Sequence, residues 1–260
     1  MAAERKSWRV ACPKCLLLCL LILLLGITGI FLSRTPPQTA QSLAEKYALA
    51  VKDAEVAEES EIFRNLTPIV SASVSASSND RKLSWTDDGT RVLVVTWTSW
   101  DGYREGERSN VSREIWVTAV PELKNTFTDS QGPDASTNSL TLRLEQLLGL
   151  PQNASKKWFV ELWVEPSDLF RPCPDPEITD RECGLEFPRN VSNEYASWFN
   201  SLRNVSYQGE NPYPWTRLGY TYVWGNPESE VGLSEFVIKS GAEVSVAGVY
   251  PTEEYFVSNV

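Results

Sequence analysis

The sequence predicts an α+β fold: a mixed sheet of about six strands with two or three helices, preceded by one N-terminal transmembrane helix and a stalk helix. Three observations carry this reading. An uncharged apolar run spans residues 16–32. Alternation of period two begins near residue 91 and returns to the end of the chain. Two segments of helical period interrupt it, giving the order β-β-α-β-α-β-β-β.

The chain opens with a tail, residues 1–15, in which Arg5, Lys6, Arg9 and Lys14 outnumber Glu4. Leu16–Leu32 then supplies 17 residues without a charge. At 1.5 Å per residue it covers roughly 25 Å, at the short end for a bilayer span. Arg34 alone follows closely, so the positive-inside rule leaves the tail in the cytoplasm and exports the rest. A cleaved signal peptide is the alternative. The run exceeds the usual ~7–15 apolar residues of a signal, and Gln38-Thr39-Ala40 makes a poor cleavage site.

Cys12-Pro-Lys-Cys15 has the spacing of a redox centre or a zinc knuckle. A redox motif needs a folded domain that lowers a thiol pKa, and only eleven residues precede Cys12. Zinc needs further ligands, and the chain has no histidine while Cys19 lies inside the apolar run. The flank of an anchor is the plain reading, S-acylation the sharper one.

Residues 33–80 read as a spacer with a Pro36-Pro37 pair, a stalk helix and a Ser/Ala-rich tether. From Ser42 to Leu66, Leu43, Tyr47, Ala50, Val51, Ala54 and Ala57 form a narrow apolar stripe. It suits packing on the chain's own domain better than a coiled coil, being rich in alanine. The globular domain is expected over residues 81–260.

Within it, 91–97, 113–120, 158–165, 218–224, 233–239 and 243–250 read as strands. Asp87-Asp88-Gly89 and Ser240-Gly241-Ala242 are turn signals, the second suggesting a hairpin of the last two strands. Ser139–Leu148 ends at Gly149 with Pro151 beyond, a helix stop, and Ser192 N-caps a helix to Arg203. Glu114-Ile-Trp-Val and Glu161-Leu-Trp-Val echo each other and suggest neighbouring parallel strands joined by a crossover.

Composition excludes several classes. Residues 34–260 carry 20 basic and 33 acidic side chains, so nucleic-acid binding and adhesion to anionic lipid by the domain's surface are disfavoured. Without histidine there is no Ser-His-Asp triad, Cys-His dyad or His-ligated metal. No cofactor or metal is expected.

Four groups of residues carry chemistry. Cys173 and Cys183 stand in a proline-rich loop and are expected to pair in an oxidising compartment. The same loop offers Asp175, Glu177, Asp180, Glu182 and Glu186 as calcium ligands, though at no known spacing. Trp100, Tyr103, Tyr213 and Trp215 lie near strand ends, where aromatic rings stack on sugars or build a core. Glu114 and Glu161 occupy matching strand positions, as a glycosidase acid and base would. Asn65, Asn110, Asn153, Asn190 and Asn204 begin N-x-S/T sequons, which matter only where the transferase exists.

The stretches REIWVTAVP (113–121), LRLEQLLGLP (142–151), WFVELWVEPSDLFRPCPDPEITD (158–180) and PWTRLGYTYVWGNP (214–227), with EVGLSEFVIKSGA (230–242), resemble a group of uncharacterised single-anchor membrane proteins of photosynthetic bacteria. The resemblance covers roughly residues 85–255 and implies a bacterial cell, which weakens glycosylation and ordinary S-acylation. It implies no activity, cofactor or catalytic residue.

The expectation is a membrane-anchored exported domain with a non-enzymatic binding or scaffolding role at the cell envelope. A glycan or protein partner is expected, with Trp100, Tyr103, Tyr213 and Trp215 as the platform. The alternative is a carboxylate-dependent glycan hydrolase using Glu114 and Glu161.

Overall fold

Eight strands of β-branched and aromatic residues form the sheet: β1 (Val92–Thr98), β2 (Arg108–Asn110), β3 (Ile115–Ala119), β4 (Trp158–Val164), β5 (Leu169–Phe170), β6 (Tyr220–Tyr222), β7 (Val231–Ile238) and β8 (Glu243–Pro251). Their order is β2-β8-β4-β1-β3-β7-β5, with β6 also hydrogen-bonded to β7. The computed structural model describes residues 41–75, 83–129 and 140–257. Cys12, Cys15, Cys19, the apolar run 16–32, the spacer to residue 40 and the tether from residue 76 lie outside the described residues, while Ala72–Ser75, expected as flexible tether, forms one helical turn. Among those described, no helix is long and apolar enough to cross a membrane.

The fold is α+β, but among the described residues every strand pairing is antiparallel, so the expected mixed sheet is corrected. The strands of the Glu-x-Trp-Val echo do run in the same direction. They are not neighbours, because β1 lies between β3 and β4 and pairs with both. The expected final hairpin is also absent: β4, β1 and β3 separate β8 from β7.

That order forces the sheet to curl. Ile238 pairs with Ile115 near the Thr98 end of the sheet, whereas Val244 pairs with Val164, opposite Val92 at the other end. On a flat sheet the end of β7 and the start of β8 would stand roughly 28 Å apart. Six residue steps lead from Ile238 to Val244, a chain that reaches about 21 Å. The sheet therefore rolls back on itself, aided by a bulge where the register shifts between Glu161 and Leu162. Inside the roll lie Val92, Val94, Val117, Val160, Leu162, Phe236, Ile238 and Val246. Alternate residues, including Leu93, Val95, Trp97, Phe159 and Leu233, point to the opposite face.

Helices cover this second face. Helix α1 (Leu43–Ala54) starts at a capping box of Ser42 and Glu45 and buries Ala50, Val51 and Ala54. Tyr47 packs edge-on to Trp224 and donates to Pro212 O at 3.0 Å. Residues 66–69 then run through the core, with Leu66 and Ile69 fully buried. Ser42–Val260 is accordingly one compact unit, and the boundary expected near Arg81 falls too late. The stalk composition belongs to a helix docked on its own domain.

Helix α2 (Val120–Asp129) begins directly after β3. The sequence reading ended a strand at Pro121, but proline is tolerated in a helix's first turn because its missing N–H would lack an intrahelical acceptor there. Helix α3 (Leu140–Leu147) is followed by Gly149 at φ +65°, the left-handed stop expected there. Helix α4 (Asn193–Gln208) is capped by Ser192, whose hydroxyl accepts from Tyr195 N, and runs five residues past the expected Arg203.

Cys173 and Cys183 form a disulfide. The loop they close wraps the fully buried Arg171, whose guanidinium donates to the carbonyls of Thr67, Glu177, Ile178 and Asp180. Loop carboxylates serve this local structure: Glu177 accepts from Thr179 N and Asp180 N, and Asp175 from Glu177 N. The loop also holds α4, since the Tyr195 hydroxyl lies 2.7 Å from Cys173 O and 2.9 Å from Arg171 O.

Candidate functional site: an aromatic cavity with one buried carboxyl

Between the second face of the sheet and helix α4 lies a cavity of about 650 Å³. Its floor is sheet: Val95 and Trp97 from β1, Trp116 and Thr118 from β3, Glu235 from β7. Leu202, Val205 and Ser206 of α4 form its roof, with Leu148 just beyond α3. One wall is the segment Tyr213-Pro214-Trp215 and β6, and the rim carries Trp100, Tyr103, Arg113, Glu114 and Lys156. The lining is mostly apolar, as is usual for small-molecule sites of this size.

The 213–217 segment is fixed from several sides. Arg217 donates to Ala54 O and Glu55 O at the end of α1, and to the Tyr207 hydroxyl on α4. Tyr207 in turn donates to Trp215 O. Trp215 Nε1 donates to Pro172 O at 3.1 Å, and its ring packs on Trp116, Trp198 and Phe199. Helix α1, the cystine loop and α4 thus meet at Trp215 and set one wall of the cavity.

All four residues of the expected aromatic platform line this one cavity. They do not form a flat exposed row. Trp100 and Tyr213 are 54% and 42% exposed at the mouth, Tyr103 is half-buried with its ring against Trp100, and Trp215 is only 6% exposed.

The two expected catalytic carboxylates are not brought together. Glu114 is exposed at the rim, ahead of β3. Glu161 is buried, accepting from Lys124 Nζ at 2.9 Å and from the Tyr255 hydroxyl at 3.0 Å. Glu161 and Thr118 both face Val95, two strand spacings apart, and Glu114 lies four residues back from Thr118. That separates their backbones by about 16 Å, beyond the ~5–10 Å of a glycosidase pair.

The carboxyl that matters is one the sequence reading passed over. Glu235 pairs across β3 with Thr118, which places it on the cavity floor. Its side chain makes no hydrogen bond or ion pair among the described residues, and burial alone pushes its pKa up to about 8. It stays deeply enclosed while keeping surface on the cavity. Its backbone N–H donates to Gly219 O, where φ is +79° and an added Cβ would stand 2.7 Å from Arg171 Cδ. Arg171, holding the cystine loop, and Glu235, on the cavity floor, are thereby positioned by the same glycine. The signal was present in LSEFVIK: Glu235 alternates with Leu233 and Val237 on one face, while Phe236 and Ile238 fill the other. A lone carboxylate in a strand apolar on both faces has no solvent side to occupy.

Four of the surrounding rings, Trp97, Trp215, Tyr220 and Tyr222, bond through their polar groups to atoms outside the cavity lining. Trp97 Nε1 donates to Thr252 Oγ1, the Tyr220 hydroxyl to Glu61 O and the Tyr222 hydroxyl to Asp53. The Thr221 hydroxyl is engaged by Leu147 O and Leu233 N. At the rim, burial first and then Arg113 hold the Lys156 ammonium below its ordinary pKa.

A second acidic site lies beside β6, where Asp53, Glu61 and Glu230 bring carboxylate oxygens within 4.8 Å of one another. Burial, then Glu61 and Asp53, raise Glu230 to about 7. No known protein family, curated protein or solved structure matches the chain.

Proposed function

We propose that this chain is a membrane-anchored, exported binding module whose folded part takes a small, largely apolar ligand in the aromatic cavity. The observation that carries the proposal is the cavity itself: about 650 Å³, lined by rings, with a carboxyl at its floor that has no partner among the described residues. Support for the address comes from the apolar run at 16–32, its basic flank and a paired Cys173–Cys183, which suits an oxidising compartment. The resemblance to single-anchor proteins of photosynthetic bacteria fits the same address.

A panel of small aromatic molecules added to the full chain in maltoside detergent tests this. A ligand quenches the fluorescence of Trp97, Trp100, Trp116 and Trp215 and stabilises the fold by about 2.7 kcal/mol at one hundred times its Kd. Ser206→Trp, which fills the cavity from α4, abolishes both effects. If no probe binds at millimolar concentration, the reading fails.

Glycan recognition is retained as a second reading because Trp100 and Tyr213 stand exposed at the mouth, where a sugar ring can stack. Oligosaccharides in the same panel test it: their binding falls with Trp100→Ala and is unaffected by Ser206→Trp. The hydrolase alternative lacks a supporting geometry, since Glu114 and Glu161 stand far apart.

A further inference from the structure

We infer that the cavity is selective for an organic cation, an ammonium group carrying apolar or aromatic substituents, which pairs with Glu235 among the rings. This rests on the small-molecule reading above and names its ligand class.

The deep end of the cavity offers an unusual set of groups. Glu235 is its acidic side chain, and no Lys, Arg or hydroxyl donor among the described residues bonds to it. A site built for a neutral polar ligand presents donors and acceptors together, because each buried ligand group needs a partner. Here Trp97, Trp215, Tyr220 and Tyr222 direct their N–H or O–H groups outward, leaving π surface and ring edges toward the cavity. Ring faces attract cations, and more so once water is excluded. An ammonium group supplies the positive charge that a buried carboxylate lacks, while its substituents fill the apolar walls.

Charged groups elsewhere do not oppose this. From β3, the residues facing Glu235 are Thr118 and, diagonally, Trp116, neither titratable. From β6, Tyr220 and Tyr222 are held by other partners, and burial raises both pKa values further. On α2, Glu122 bonds Thr67 and Ser234, and Lys124 bonds Glu161. Leu202, Val205 and Ser206 line the cavity from α4 without charge. The rim cation Arg113 stands five residues before Thr118, about 16 Å along the chain. Neither it nor Lys156 acts on the Glu235 carboxyl. A net charge of −10 also draws cations toward the protein.

Binding of a permanently charged cation requires Glu235 to be ionised, so a proton leaves as the ligand enters. With a carboxyl titrating at about 8, the ionised fraction rises about fiftyfold between pH 6 and pH 8. The test titrates the full chain, in maltoside detergent, with benzyltrimethylammonium and with its uncharged isostere neopentylbenzene, at pH 6, 7, 8 and 9. Benzyltrimethylammonium is expected to bind more tightly by about fiftyfold at pH 8 than at pH 6. Glu235→Gln should weaken it and abolish the pH dependence, while neopentylbenzene binds wild type and variant alike at every pH. The neutral probe thus reports that the variant's cavity is intact. If only neopentylbenzene binds, or if benzyltrimethylammonium binds wild type and Glu235→Gln equally, the cation inference is overturned and the apolar cavity stands. If neither probe binds, the cavity reading itself falls.

Discussion

Two carboxyls lie in one row across the sheet, and their surroundings differ. Glu161 on β4, Val95 on β1, Thr118 on β3 and Glu235 on β7 are successive cross-strand partners on the same face. On the Glu161 side the face is solid: Phe159 stacks on Tyr255, Phe256 packs edge-on to both and stacks on Phe127 from α2, and Lys124 supplies a counter-charge. On the Glu235 side, α4 and the 213–217 segment stand off the sheet, and the carboxyl faces a cavity with no partner among the described residues. Strand position is the same in kind, and the environment is decided by what packs above it. One half of the face is packed solid around a paired carboxylate, and the other leaves an enclosed carboxyl on a cavity, which costs stability whenever it is ionised.

The largest effect that can break this contrast is removal of Lys124. Lys124→Met leaves Glu161 buried without its counter-charge and should cost about 3–5 kcal/mol in urea unfolding at pH 7. A cost below about 1 kcal/mol would mean that Glu161 is solvated and the two halves are alike.

Next comes the disulfide. Opening it with Cys173→Ser and Cys183→Ser should cost about 3 kcal/mol from the short loop it closes. Because that loop holds α4 through Tyr195, hydrogen exchange should accelerate in α4 before it does in α2. Simultaneous acceleration in both helices would make the two halves one cooperative unit.

A smaller effect sharpens the electrostatic side. Glu235 has a folded pKa raised from 4.5 to about 8, so the folded state holds its proton more tightly than the unfolded chain. Its stabilising protonation is fully present below about pH 4.5 and is lost as pH rises through 8. Glu235→Gln should therefore match wild type near pH 4 and exceed it by about 2 kcal/mol at pH 9, less than the full shift implies because the carboxyl keeps surface on the cavity. Glu230, raised to about 7, adds a fall of the same sign to both proteins, so the difference between their melting curves isolates Glu235. Equal curves at pH 9 would place Glu235 in water.

Trp100→Ala carries the smallest expected change in stability, within about 0.5 kcal/mol, since the ring is exposed at the cavity mouth. A loss above 2 kcal/mol in thermal unfolding would make Trp100 a packing residue of the rim.

Much of the fold was legible locally. Six strands, the helix capped at Ser192, the glycine stop at Gly149 and the Cys173–Cys183 pair all follow from short-range chemistry, whereas the capping box at Ser42 was not read and the helix expected to Leu66 ends at Ala54. Short β2 and β5 were missed, since three and two residues give no periodicity to read. The hairpin inferred from Ser240-Gly241-Ala242 failed for a definable reason. The turn exists, with Ala242 N bonded to Lys239 O, but Gly241 N bonds Val111 O and the chain crosses to the far side of the rolled sheet. The site was half legible: Trp100, Tyr103, Tyr213 and Trp215 share one cavity, whereas Glu114 and Glu161 were chosen by sequence echo and Glu235 was overlooked.

By itself the sequence determined the α+β class, six of the strands, the Ser192 cap and the disulfide. Each depends on residues close together in the chain, where propensity and periodicity act. Only the tertiary structure decided which carboxyl is paired and which is stranded. Strand order, the roll of the sheet and the stand-off of α4 arise from contacts between distant segments. Those contacts set whether Lys124 or a cavity lies above a glutamate of the same row.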